Sequence, residues 1–321
     1  MYEPQKRRRH PKYKTAYRVK NWPEYEKSLR DRGDISIWMS QDAIDSWMPA
    51  KTGKRGGQLL YSDLAIESAL TLRLIFHQPL RQTEGFLRSI LRLMGLNLPC
   101  PDHTTLSRRN QTLEVRKRVE KLPAGPIDFI VDSTGLKVRG QGEWHTKKHG
   151  KKSHRRWRKL HIGVDSQGWV HASKITEDHE QDPTQVPDLL GQVDREIESF
   201  VADGIYDQDP VYKVVKAHSP GARIIIPPRK CAAFSSRVTT APSERDRHIL
   251  RAQEIGLSRW RHESGYYKQS HAENCFSRFK STFGGRIRAK NKAAQEKEVD
   301  LGCAILNQMR QMRSPISCPV S

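Results

Sequence analysis

Apolar positions along the chain follow two regimes that meet near residue 126. In the first, Leu64, Ala65, Ala69, Leu72, Ile75 and Phe76 recur at three- and four-residue spacing behind a capping Ser62 or Asp63, which predicts a core helix over 62–77. A second helix carries Phe86, Leu87, Ile90, Leu91 and Met94 and stops near Gly95. Short helices are expected between "WPEYEKSLRDRG" and "QDAIDSWM". Beyond "LNLPCP", Asp102 should cap a short polar helix carrying Thr104, Thr105, Ser107, Arg108 and Arg109. Helix, turn, polar helix is the shape of a DNA-reading unit whose last helix enters a groove. On this segment alone, a plain helical bundle with a solvated last helix fits as well.

After the linker signal "LPAGP" at residues 122–126, the pattern becomes β-branched. "IDFIVDSTGLKV" is an apolar strand interrupted by Asp132, and "HIGVDSQGWVHASKITE" is a hairpin turning at "DSQG". "DPTQVPDLLGQVDREI" should be an amphipathic helix, "SFVADG" a short buried strand and "ARIIIPP" another. Three strands, then alternating helix and strand, then helices, predict an α/β layer with a mixed sheet.

Charge changes the picture next. The 321 residues have a formal net charge of +21 and a pI near 9.9, which favours a polyanionic partner, nucleic acid first. "HTKKHGKKSHRRWRKLH", residues 145–161, concentrates this charge in Lys147, Lys148, Arg155, Arg156, Arg158 and Lys159, as backbone binding requires. Residues 1–20 are basic without apolar periodicity and predict a flexible arm. No apolar run approaches the roughly 18–20 residues needed to span a bilayer, so a soluble, non-exported protein is expected. The cysteines lack CxxC spacing and the histidines lack HExxH, so no zinc site is expected. His161 and His171 in strands and His271 in a helix read as structural imidazoles.

Asp132 follows "FIV" and Asp203 follows "FVA", so each carboxylate belongs at the C-terminal end of an apolar strand, where an unpaired acid is costly unless it binds a cation. Oxygen ligands without His or Cys select Mg²⁺ or Mn²⁺. In "YYKQSHAENCFSRFK", Tyr266, Gln269, Glu273 and Lys280 advance by helical steps and share a face, beside an apolar stripe of Ala272, Cys275, Phe276, Phe279 and Phe283. That stripe should dock the helix on the sheet and bring Glu273 to the two aspartates. Among other acids, Asp165 fits a hairpin turn, Asp128 opens a strand, and Asp178, Glu180 and Asp182 belong to an exposed loop. Asp207 competes with Asp203, which the preceding apolar strand favours.

"YYKQSHAENCFSRFK" resembles the Y-x2-R-x3-E-x6-K signature of bacterial insertion-sequence DDE transposases, specifically insertion sequence family five, with Tyr266, Glu273 and Lys280 matching and Gln269 in the place of Arg. "FGGR", "IDFIVDSTGLKV", "WRKLHIGVD", "ADGIYD" and "LNQMR" are similar to that family in the same order, from about residue 60 to 312. The resemblance implies a ribonuclease-H-like domain in which Asp132, Asp203 and Glu273 hold two Mg²⁺ or Mn²⁺ ions and are catalytic, with Lys280 and Tyr266 contacting DNA. It implies an enzyme that binds terminal inverted repeats, cuts them and joins them to target DNA, working as an oligomer in the bacterial cytosol. The expected organisation is an arm over 1–20, a helical DNA-binding domain over 21–121, the catalytic domain over 127–312 and a flexible tail over 313–321. A nuclease of the same fold and a catalytically impaired DNA-binding derivative are the alternatives, and Gln269 favours the latter.

Overall fold

The computed structural model describes residues 16–51, 53, 55–115, 125–138, 157–312 and 315–320. The chain begins with β1 (Ala16–Val19) and the short helices α1 (Trp22–Asp31), α2 (Ile35–Trp38) and α3 (Gln41–Asp45). Three further helices follow: α4 (Asp63–Ile75), α5 (Leu80–Leu93) and α6 (His103–Arg109). Ser62 caps α4 by accepting from the Ala65 N–H, and Asp102 caps α6 by accepting from Thr104 and Thr105.

The sheet is built from β2 (Ile127–Val138), β3 (Trp157–Val164), β4 (Val170–Glu177), β5 (Ile197–Val201), β6 (Arg223–Ile225) and β7 (Arg286–Ile287). Its strand order is β4-β3-β2-β5-β6, with β7 pairing the far end of β2. The β2–β3 and β3–β4 pairs are antiparallel, whereas β5 runs parallel to β2 and β6 parallel to β5. The expected mixed sheet is present. Between strands lie α7 (Val186–Leu190) and α8 (Asp209–His218); after β6 come α9 (Glu244–Ile255), α10 (Leu257–Ser264) and α11 (Ser270–Phe283), then α12 (Lys292–Gln311) and β8 (Ser317–Val320).

Central strand β2 is buried on both faces, so its apolar residues divide by alternation. Ile130 and Leu136 face α11 and α12 with Phe276, Phe279, Val299 and Leu306, while Phe129 and Val131 face α7 and α8 with Val186, Leu189, Val211 and Val215. The Phe129 ring lies so close to Gly163 of β3 that a Cβ there would stand 2.1 Å from it, which accounts for the glycine in "HIGVD". A third core gathers α2 to α6 and includes Leu301 and Ile305 of α12, so the last long helix belongs to both the sheet and the N-terminal helices. The edge strand β4 is protected at Val170, whose N–H and C=O are both taken by the Asn307 side chain, the Asn of "LNQMR".

Four expectations are corrected. Residues 16–19 and 317–320, assigned to a flexible arm and tail, pair as an antiparallel ribbon. The amphipathic helix expected from Asp182 shrinks to a 3₁₀ turn over Asp182–Gln185 and the short α7. Asp132 lies in the middle of β2, because the small residues after it continue the strand. Finally, Tyr266–Gln269 form a separate 3₁₀ turn after a left-handed Gly265 (φ 80°), and α11 begins only at Ser270, so the stripe spans a 3₁₀ turn and an α-helix.

Candidate active site

Register brings the first two acids together. Ile130 of β2 pairs with Val201 of the parallel β5, and two residues further along each chain stand Asp132 and Asp203. Asp132 accepts a 2.8 Å hydrogen bond from the Ser133 N–H; Asp203 caps the 3₁₀ turn over Gly204–Tyr206 by accepting from the Ile205 N–H at 2.8 Å. Glu273 lies in the first turn of α11, exposed, while Ala272, Cys275, Phe276 and Phe279 beside it are buried against the sheet. The apolar stripe therefore docks the helix as the spacing predicts.

Asp132 senses the acids around it. Burial, and then the negative charges of Asp203, Glu273 and Asp182, push the Asp132 carboxyl up to about 6 against the opposing Ser133 N–H. Asp203 is raised too, by burial first and by Asp182, against the Ile205 N–H and the Arg229 guanidinium. Tyr266 is half-buried over the same cluster, its hydroxyl pushed up to about 12 by burial and by Asp203, Asp132 and Glu273. The Arg261 guanidinium stacks over its ring at 5.5 Å. Two raised carboxyls, one in the middle of β2 and one just beyond β5, mark a candidate functional site on physical grounds.

Lys280 donates a 2.7 Å hydrogen bond to Thr134, which shares the Asp132 side of β2 by alternation. Gln269 is buried beneath; its Nε2 donates to the Val131 carbonyl at 3.2 Å and its Oε1 has no hydrogen-bond partner among the described residues. Asp207, the competitor of Asp203, is buried in an ion pair with Arg245 and accepts from the Arg229 N–H, a structural role. Asp128 is likewise engaged, by Lys268 and Ser199.

Several candidate DNA contacts are occupied within the protein. Arg158 is held by Glu177 and the Gln295 carboxamide, and Lys159 by Asp182 and the Glu180 carbonyl, both at 2.8 Å. Arg109 donates to the Tyr61 carbonyl at 2.9 Å and pairs with Asp63, whereas Arg108 is exposed and forms no ion pair among the described residues. The Thr104 and Thr105 hydroxyls both turn back to Asp102. Lys147, Lys148, Arg155 and Arg156 lie outside the described residues.

One acid was misread from the pattern. Asp182, expected in an exposed loop with Asp178 and Glu180, is buried, and its charge acts on Asp132, Asp203 and Tyr206. Only a chain-distant contact reveals this: its carboxylate receives Ser133, the neighbour of Asp132.

Among the described residues no group of three His, Cys, Asp or Glu side chains closes on one point to form a ready-made metal cage. The donor chemistry of Asp132, Asp203 and Glu273, carboxylate oxygens only, nevertheless suits a hard divalent cation, which would offset the charge that Asp203 and Glu273 exert on Asp132. No described helix is long and apolar enough to cross a membrane.

A family model described as "Transposase DDE domain" matches residues 123–308, more than half of the chain. A second model with the same description matches residues 30–141 and so takes in helices α4 to α6 and β2.

Proposed function

The chain belongs to the transposase DDE-domain family, and from that premise we propose that Asp132, Asp203 and Glu273 are the catalytic acids of an insertion-sequence transposase of family five. The observation that carries this reading is that Asp203, set beside Asp132 by the parallel β2–β5 register, and Glu273, carried by α11, both lie near enough for their charges to help raise the Asp132 carboxyl to about 6. The strand order, with antiparallel β2–β3–β4 continued by parallel β5 and β6, supports a ribonuclease-H-like domain.

In the proposed reaction, water attacks a phosphodiester at the element's end and the 3′-oxygen leaves as a hydroxyl. That 3′-hydroxyl then attacks a phosphodiester of target DNA, displacing a second 3′-oxygen. Two Mg²⁺ or Mn²⁺ ions held by Asp132, Asp203 and Glu273 would stabilise charge on the attacking and leaving oxygens. The Ser133 and Ile205 N–H groups orient the two aspartates. Lys280 is exposed above Thr134 and is positioned to contact a phosphate, and Tyr266 stands at the rim to receive the strand end. Arg108, on the free side of α6, is the proposed contact to the terminal repeats. Two DNA ends must be held at once, which calls for at least two subunits.

Gln269 favours a second reading, a catalytically impaired DNA-binding derivative, since a buried amide stands where the family signature has Arg. Incubating the purified protein with inverted-repeat ends, Mg²⁺ and a plasmid target separates the readings. Joined products support the transposase; cleavage without joining supports a nuclease; binding alone supports the derivative.

A further inference from the structure

Asp182 stands on the face of β2 opposite Asp132, beneath the catalytic strand, because Ser133 and Asp132 alternate across the sheet. Its two oxygens are both engaged: Oδ2 accepts from the Ser133 hydroxyl and Oδ1 from the Lys159 ammonium, each at 2.8 Å. Ser133 in turn donates its main-chain N–H to Asp132 Oδ1 at 2.8 Å, so one residue joins the two acids. Lys159 makes a second 2.8 Å bond to the Glu180 carbonyl, tying the loop before α7 to β3, where it pairs in register with Gly135. A buried ion pair gives little net stability, since desolvation offsets most of the attraction. Its place directly under Asp132 needs another account.

We propose that Asp182 is a positioning residue of the active site, bracing Ser133 and, through it, the Asp132 carboxylate in the orientation that binds metal and substrate. The inference rests on the transposase reading of Asp132. Lys159, expected from its basic neighbourhood to bind DNA, serves instead as the ion-pair partner that holds Asp182 in place. Groups hydrogen-bonded behind ligating carboxylates orient them, and losing one typically costs about 10–100-fold in metal affinity or activity. Asp182 also adds negative charge felt at Asp132 and Asp203, strengthening the attraction of the site for cations.

The full-length protein is compared with Asp182→Ala, Ser133→Ala and Asp132→Ala in Mg²⁺-dependent cleavage of inverted-repeat DNA, and in Mn²⁺ binding by titration calorimetry. Asp182→Ala should lower kcat and weaken Mn²⁺ binding by about 10–100-fold, with KM for DNA changed less than about twofold. Ser133→Ala, which removes only the hydroxyl link, should move both quantities in the same direction and carries the test if the Asp182 variant does not fold. A purely structural role would lower the melting temperature and leave kcat and Mn²⁺ affinity of the folded protein unchanged, which overturns the inference. If Asp132→Ala also cleaves normally, the site reading itself falls; if Asp132→Ala is inactive but Asp182→Ala and Ser133→Ala are not impaired, only this inference falls.

Discussion

Gln269 donates from its side-chain amide to the Val131 carbonyl at 3.2 Å, one residue before Asp132. The residue in the Arg position of the signature that the sequence resembles is thus bonded into β2, with Oε1 buried and without a donor among the described residues. A guanidinium here would donate to Val131 and also reach the acids or a phosphate. Gln269→Arg should therefore raise the single-turnover cleavage rate about tenfold, the effect of one charge-assisted hydrogen bond of ~1.5 kcal/mol. A slower enzyme would mean that the amide is itself part of the working site.

The two arginines of α6 should behave differently. Arg109 is spent on Tyr61 and Asp63, so Arg109→Ala should destabilise the helical region by about 1–3 kcal/mol, read by chemical denaturation. Arg108 is exposed, so Arg108→Ala should leave stability unchanged, weaken binding to the terminal repeats and reduce the salt slope of binding by about one. Equal binding losses with no stability change for either would remove α6 anchoring from Arg109.

Asn307 is fully buried and fills both hydrogen-bonding groups of Val170 on the edge strand β4. Asn307→Ala leaves them unpaired, which should cost at least about 1–3 kcal/mol and expose an edge prone to association. Denaturation midpoints together with light scattering check both effects.

Burial and neighbouring carboxylates hold Asp132 near about 6, above its ordinary value of 3.8, so the protonated form is favoured in the fold. The stability this group contributes is present below pH 3.8 and is lost as pH rises through about 6. Asp132→Asn should therefore stabilise the metal-free protein by the order of 1–3 kcal/mol at about pH 8 and not at about pH 4. Mg²⁺ or Mn²⁺ should stabilise the wild-type protein more at the higher pH, because protons compete for the same oxygens. Denaturation at both pH values, in chelator and in metal, reads these effects.

Local pattern made much of this legible. Asp132 and Asp203 were marked by the apolar runs before them, α11 by its buried stripe, and α4 and α6 by Ser62 and Asp102. What escaped depends on contacts between distant segments. Asp182 sits in a polar, charged loop, and nothing local shows that the loop folds under β2 to meet Ser133, 49 positions away. The pairing of β1 with β8 joins residues near opposite ends of the chain, and neither segment has enough apolar alternation to announce a strand. The break at Gln269 comes from the left-handed Gly265 and the 3₁₀ turn behind it, where helical spacing in the sequence runs on without interruption. Charge alone assigns Lys159 and Arg158 to DNA, whereas the buried Asp182 and the half-buried Glu177 on neighbouring elements claim them.

The most direct test is the rate of Mg²⁺-dependent cleavage of DNA carrying the element's terminal inverted repeats by Asp132→Asn, Asp203→Asn and Glu273→Gln. Each should lose more than about 1,000-fold, beyond the roughly 10–100-fold of an outer contact, while gel-shift binding of the same DNA is retained. Wild-type cleavage by any one of the three would contradict the assignment of that acid and with it the catalytic triad.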